Sequence, residues 1–148
     1  PRAFYATVGP ALPSWPEQLG FAGDTSFSTS IWEPNAPFPQ SREFASAFRQ
    51  RYGEDASYHA ATAYAAGEVF HAAVLAAGTL DREAVRTALY ALDTYSVLGR
   101  FAVDRTGIQV KRLEMIVQWQ GGKKKIVFPE DTRTARPIKA YRWGFLDN

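Results

Sequence analysis

Apolar residues fall in short runs and alternations at both ends of the chain and recur at helical spacing in between. Arg2-Ala3-Phe4-Tyr5-Ala6-Thr7-Val8 predicts a buried strand ending at Gly9-Pro10, and the alternation from Thr25 to Ile31 predicts a second. Seven of the nine prolines lie within the first 39 residues and leave only short windows, so strands and ordered loops are expected there. Ser41 is placed to cap a helix whose positions Phe44, Ala45, Ala47, Phe48 and Tyr52 keep one apolar face until Gly53 stops it. Ser57 then opens a second helix, Tyr58 to Ala77, that is apolar around nearly its whole circumference and ends at Gly78. It has the length of a membrane span. Its many alanines carry little transfer energy and His59, Glu68 and His71 interrupt it, so it is expected to be the most buried element of a folded core.

A third helix is expected after Asp81, with Leu80 and Val85 as a hydrophobic staple and Ala84, Val85, Ala88, Leu89 and Leu92 on its buried side. The period then changes to two. Val97 to Val103 predicts a strand, Asp104 to Gly107 a turn, and Leu113 to Trp119 another strand. Gly121-Gly122 supplies the positive φ angles of a two-residue hairpin that returns into Lys123 to Phe128. Thr132 to Asn148 reads as polar and irregular, and no internal repeat is evident.

Composition narrows the chemistry. With 148 residues, 46% of them hydrophobic and 22% charged, the chain has the make-up of a soluble globular protein that can bury a core unaided. The lack of Cys excludes disulfides, a thiolate nucleophile and cysteine-ligated metals. Net charge is only +2 but unevenly spread: residues 1–104 hold seven Arg against eleven acids, and residues 105–148 ten Lys and Arg against four.

Glu68 and His71 stand three apart on one helix face, half of a di-iron pattern or an acid/base pair. No second Glu-x-x-His accompanies them, and His59 lies about 120° around the helix from His71, so a satisfied polar pair at a helix contact is expected and no metal. There is no Gly-x-Ser-x-Gly elbow or phosphate-binding glycine loop; the chain is expected not to be an enzyme and to carry no cofactor. Lys123-Lys124-Lys125, with Trp119, Arg133, Arg136, Lys139, Tyr141, Arg142 and Trp143, has the ingredients of a nucleic-acid or protein-interaction surface. Without a strong basic excess, the three lysines are read as the solvated tip of a hairpin and no nucleic-acid partner is expected.

A longer pattern is more specific. Phe44-x3-Phe48-x2-Arg51-Tyr52-Gly53, Ser57-Tyr58-His59-Ala60-Ala61-x-Ala63-Tyr64-Ala65-Ala66, Ala76-Ala77-Gly78 and Asp81-x-Glu83-Ala84-Val85-x3-Leu89 follow one another, then Gly99-Arg100-Phe101-x2-Asp104-x2-Gly107 and Val117-Gln118-Trp119 with the Gly121-Gly122 hairpin into Val127-Phe128-Pro129. This succession resembles the C-terminal portion of the periplasmic solute-binding proteins of ABC transporters, in the branched-chain amino-acid (Leu/Ile/Val) binding group. The resemblance implies an α/β fold: part of a two-lobed type I periplasmic binding protein, its parallel-sheet lobes flanked by helices, with a C-terminal antiparallel hairpin. Residues 1–34 would belong to the C-terminal lobe, 35–109 to the N-terminal lobe, and 110–148 would return to the C-terminal lobe, with crossings near Pro34 to Pro39 and Thr106-Gly107.

The function so implied is extracytoplasmic, periplasmic capture of a small molecule by lobe closure, for delivery to ABC transporter membrane subunits; a sensor lobe of the same fold is the neighbouring reading. By resemblance Thr7, Val8 and Gly9 and the helix-opening Tyr58 and His59 are the ligand-binding candidates. Members that bind amino acids place an acid for the ligand's ammonium in the loop matching Thr7 to Pro10, and here no acid occurs before Glu17. A small apolar or aromatic carboxylate without an amine is therefore expected. As a piece of a larger protein, the chain is also expected to expose apolar faces and to self-associate.

Overall fold

The structure, a computed structural model, describes residues 3–111 and 113–139. The chain forms two compact units, one from Pro1–Glu33 with Glu114–Asn148 and the other from Pro34–Leu113.

The first unit is organised by a three-stranded antiparallel sheet in the order β1 (Phe27–Ser30), β4 (Met115–Gln120), β5 (Lys123–Phe128). β4 is its centre, with Met115, Val117, Gln118 and Trp119 buried. The two-glycine turn forms as expected, with φ of 59° at Gly121 and 70° at Gly122, and sets Trp119 opposite Lys124 and Val117 opposite Ile126. Asp24 accepts from both turn amides, at 3.1 and 3.4 Å. The Gln118 amide, fully buried, donates to the carbonyls of Thr25 (3.1 Å) and Ile138 (2.7 Å) and accepts from Ile138 N (2.9 Å), so a polar core residue is satisfied by backbone groups.

The proline-rich start departs from expectation. Of the expected strand Arg2–Val8, Arg2 lies outside the described residues, and Ala3–Val8 is mostly exposed, with one parallel bridge between Tyr5 and Phe27. Gly9–Ala11 and Gly20–Gly23 are 3-10 turns and Trp15–Leu19 a short helix (α1). Pro10 and Pro16 sit in the first turns of theirs, where a missing N–H costs nothing, so the prolines start helical turns rather than bound strands. The Trp15 ring lies against Gly9 and Gly23, and its Nε1 donates to Gly23 O and Ser26 Oγ. A Cβ on Gly9 would stand 2.5 Å from Trp15 Cζ3.

Lys124 is not part of a solvated tip. Its side chain is 14% exposed and its Nζ lies 2.9 Å from Glu33 Oε1, itself 7% exposed. Burial pushes the Glu33 carboxyl above the usual carboxylate range, against the opposing pull of the Lys124 ammonium and the Ser30 hydroxyl.

In the second unit three helices gather around a small hairpin. α2 (Ser41–Tyr52) ends at Gly53 with φ 76°, as expected, but its N-cap is Gln40 in a left-handed conformation. Ser41 is the buried first residue, and its hydroxyl donates to Val97 O at 3.1 Å instead of capping. α3 (Tyr58–Ala77) is capped by Ser57 and closed by Gly78, and α4 (Arg82–Ala91) is capped by Asp81. Leu80 is exposed, so it forms no staple with the buried Val85. Instead of one strand over Val97–Val103, β2 (Thr94–Ser96) and β3 (Gly99–Phe101) form a tight hairpin. Its turn residue Val97 is held at both backbone groups: the carbonyl by Ser41 and the amide by Glu68 Oε2 on α3, at 2.9 Å. Glu68 thus finds its partner in backbone, not in His71, which is exposed. The Asp104 turn forms as read, its carboxylate accepting from Thr106 N, Thr106 Oγ1 and Ile108 N, which holds its pKa below the usual range.

α3 is not the most buried element. Its 20 residues and mean hydropathy of 1.2 reach the length and composition of a membrane span. Only Ala61, Ala65 and Ala73 are buried, while Tyr64, Phe70 and Leu75 are more than half exposed, because α4 and β2 cover just part of its circumference. Thr132–Lys139 is irregular as expected, and Tyr141, Trp143 and Phe145 lie outside the described residues.

Three outcomes follow from this packing. Gly9→Ala should cost about 1–3 kcal/mol in a urea titration, because Trp15 must move. Lys124→Met should cost about 3–5 kcal/mol at neutral pH by leaving Glu33 buried without its cation. Because the carboxyl is already held above its unfolded value, and higher still without Lys124, it takes up a proton as pH falls and the loss should shrink; a loss that grows toward acid contradicts the assignment. The apolar surface of α3 should make the isolated 148-residue chain self-associate, with a scattering mass above 16.5 kDa that rises with concentration.

Candidate functional site

Thr7, Val8 and Gly9 are consecutive in the first unit, and Tyr58 and His59 open α3 in the second. Tyr58 is half-buried and His59 exposed, with ring centroids 4.0 Å apart. The Tyr58 carbonyl is used within the helix, accepting from Thr62 Oγ1. Among the described residues no three His, Asp or Glu side chains gather to hold a metal ion.

The Thr7–Gly9 loop has a one-sided polarity. Every carbonyl from residue 7 to 11 is engaged: Thr7 O accepts from Ser28 Oγ (3.0 Å), Val8 O from Ala11 N (3.0 Å), and Gly9 O from Leu12 N (3.0 Å). Pro10 O accepts from Trp119 Nε1 at 2.7 Å, and Ala11 O from Lys124 Nζ at 2.6 Å. The amides of Thr7, Val8 and Gly9, by contrast, donate to no acceptor among the described residues. Thr7 and Val8 are exposed and Gly9 is half-buried. Such a loop offers hydrogen-bond donors where its acceptors are already in use, a pattern suited to an anion.

Ser28 and Glu33 carry no site signal in the sequence, and Trp119 and Lys124 figure there only in the basic hairpin weighed as an interaction surface, although one signal of their pairing was present. A two-residue Gly121-Gly122 turn fixes 120 against 123 and 119 against 124, so the pairing of Trp119 with Lys124 follows from the turn alone. What they touch does not, because Pro10 and Ala11 are more than a hundred residues away. With its ammonium committed inside the fold, Lys124 is also withdrawn from any basic surface for nucleic acid.

The sequence matches the profile of a family described as periplasmic binding protein over residues 5–124. Among solved structures, the chain is similar to a leucine binding protein from Thermotoga maritima (22% identity, 82% of this chain and 35% of that one, TM-score 0.69). It is also similar to a putative branched-chain amino acid ABC transporter protein from Rhodospirillum rubrum (26%, 84% and 37%, TM-score 0.68). A third is an ABC transporter solute binding protein from R. palustris in complex with benzoate (21%, 80% and 32%, TM-score 0.65). The chain spans about a third of the length of these structures, and its mixed helix and sheet architecture is that of the type I periplasmic binding fold. On the profile match over most of its length, the chain belongs to the periplasmic binding protein family.

Proposed function

We propose that the chain is the C-terminal portion of a two-lobed, extracytoplasmic solute-binding protein, and that it captures a small apolar or aromatic carboxylate without catalysis, for delivery to ABC transporter membrane subunits. In this reading the unit containing Thr7–Gly9 belongs to the C-terminal lobe and the unit containing Tyr58 and His59 to the N-terminal lobe. Thr7, Val8 and Gly9 hold the polar end of the ligand, and Tyr58 and His59 supply ring surface for its body.

The observation that carries the proposal is the polarity of the Thr7–Gly9 loop. Its three amides are unpaired among the described residues, its carbonyls are engaged, and no acid occurs in it. A carboxylate can accept from such amides, and charge-assisted bonds of this kind are the stronger class. An ammonium finds no carboxylate there, and each carbonyl of the loop already accepts one bond. Burying it unpaired costs several kcal/mol, on the order of a thousandfold in affinity. The neighbour solved with benzoate supports a carboxylate of this class, and the leucine binding neighbour marks the competing one.

Isothermal titration of the protein as encoded, with whatever residues precede Pro1, separates the two. Benzoate and 4-methyl-2-oxopentanoate, the keto acid matching leucine, should bind at least a hundredfold more tightly than leucine. Tighter binding of leucine overturns the proposal.

A further inference from the structure

We infer that Trp119 and Lys124, on the β4–β5 hairpin, are positioning residues for the ligand: by holding the carbonyls of Pro10 and Ala11 they fix the backbone that presents the amides of Thr7, Val8 and Gly9. This rests on the reading of that loop as the ligand's anchor. The two side chains lie directly opposite each other in the hairpin register and so project from the same face of the sheet. Each donates to one of two successive carbonyls, at 2.7 Å from Trp119 Nε1 and 2.6 Å from Lys124 Nζ. Between them they pin the 3-10 turn Gly9–Ala11, whose own bonds, Ala11 N to Val8 O and Leu12 N to Gly9 O, reach back into the loop.

Lys124 has a second tie. The same ammonium is paired with Glu33, the last residue of the first unit before the chain passes into the second at Pro34. The loop, the hairpin and the end of the first chain segment therefore share one buried cation. A lysine whose use was only to solubilise a hairpin tip would be exposed, as its neighbour Lys123 is. The specificity consequence is direct: if the Pro10 and Ala11 carbonyls are released, the turn relaxes and the donor face of the loop loses its fixed geometry.

The test uses the protein as encoded, amide hydrogen exchange by NMR, and titration with benzoate. Replacing the ion pair by neutral groups of similar size, Glu33→Gln with Lys124→Met, removes the bond to Ala11 without leaving a lone buried charge. Trp119→Phe removes the bond to Pro10 and keeps a buried ring. Both should speed exchange at the Ala11 and Leu12 amides at least tenfold, with β4 and β5 amides unchanged, and should weaken benzoate binding at least tenfold. Lys123→Met, which removes one positive charge from the same hairpin, should change neither. Unchanged exchange at Ala11 and Leu12 overturns the inference. So does faster exchange with undiminished benzoate affinity, since the turn then has no bearing on the ligand. If the unmutated protein binds neither benzoate nor 4-methyl-2-oxopentanoate, the proposed function falls, and the exchange rates alone decide whether Trp119 and Lys124 hold the turn.

Discussion

A lysine ammonium enclosed in the first unit between a carboxylate and a peptide carbonyl is the constraint on which that unit depends. Taking both charges of the Lys124–Glu33 pair out of water is costly, and replacing such pairs with apolar residues is often neutral for stability. What the pair provides is definition. Lys124 reaches Glu33 and Ala11 together only if β5 is in one register with β4, because a shift of one residue would turn its side chain to the other face. The Gly121-Gly122 turn sets that register and Asp24 holds the turn, so the position of the Gly9–Ala11 segment is inherited from a hairpin far along the chain.

The second unit uses the same device without charge pairing. Val97 is fully buried at the tip of the β2–β3 hairpin, and its two backbone polar groups would be orphaned if Ser41 and Glu68 did not reach them. These two side chains come from the first turn of α2 and the middle of α3, so one peptide fixes two helices against the hairpin. Gly99 completes the corner with φ of 90°, and the Phe38 ring stands 3.0 Å from where its Cβ would be. Polar groups buried in this protein thus serve mainly to seat backbone, as Gln118 also does.

The three longer helices and the β4–β5 hairpin were legible in the sequence because their signals are local: Ser57 and Asp81 as caps, Gly53 and Gly78 as stops, Gly121-Gly122 as a turn. Elements decided by distant partners were not. Ser41 has the residue type and place of a cap, yet Val97, 56 positions on, competes for its hydroxyl. The run from Phe4 to Val8 has the composition of a strand, but only Tyr5 finds a bridging neighbour in β1. α3 reads as a core helix from its apolar circumference, and circumference does not say how much of it neighbours cover. For the site, the absence of an acid near Thr7 could be read directly. The engagement of every carbonyl from Thr7 to Ala11 could not, since three of the five donors, Ser28, Trp119 and Lys124, are distant in the chain.

That distribution of donors bears on how specificity is encoded in this family member. The groups that the proposed function assigns to the ligand are backbone amides, present whatever the side chains are, so substitution within the Thr7–Gly9 loop cannot delete them short of proline. Charge preference, under the proposed function, is set by side chains that occupy the acceptors and fix the turn. Trp15 lies over Gly9 where no larger residue fits, Ser28 engages the Thr7 carbonyl, and Trp119 and Lys124 engage the next pair. Under the proposed function, discrimination is built from residues that need never touch the ligand. The selectivity of the loop, under the same proposal, is only as sharp as the hairpin behind it is rigid.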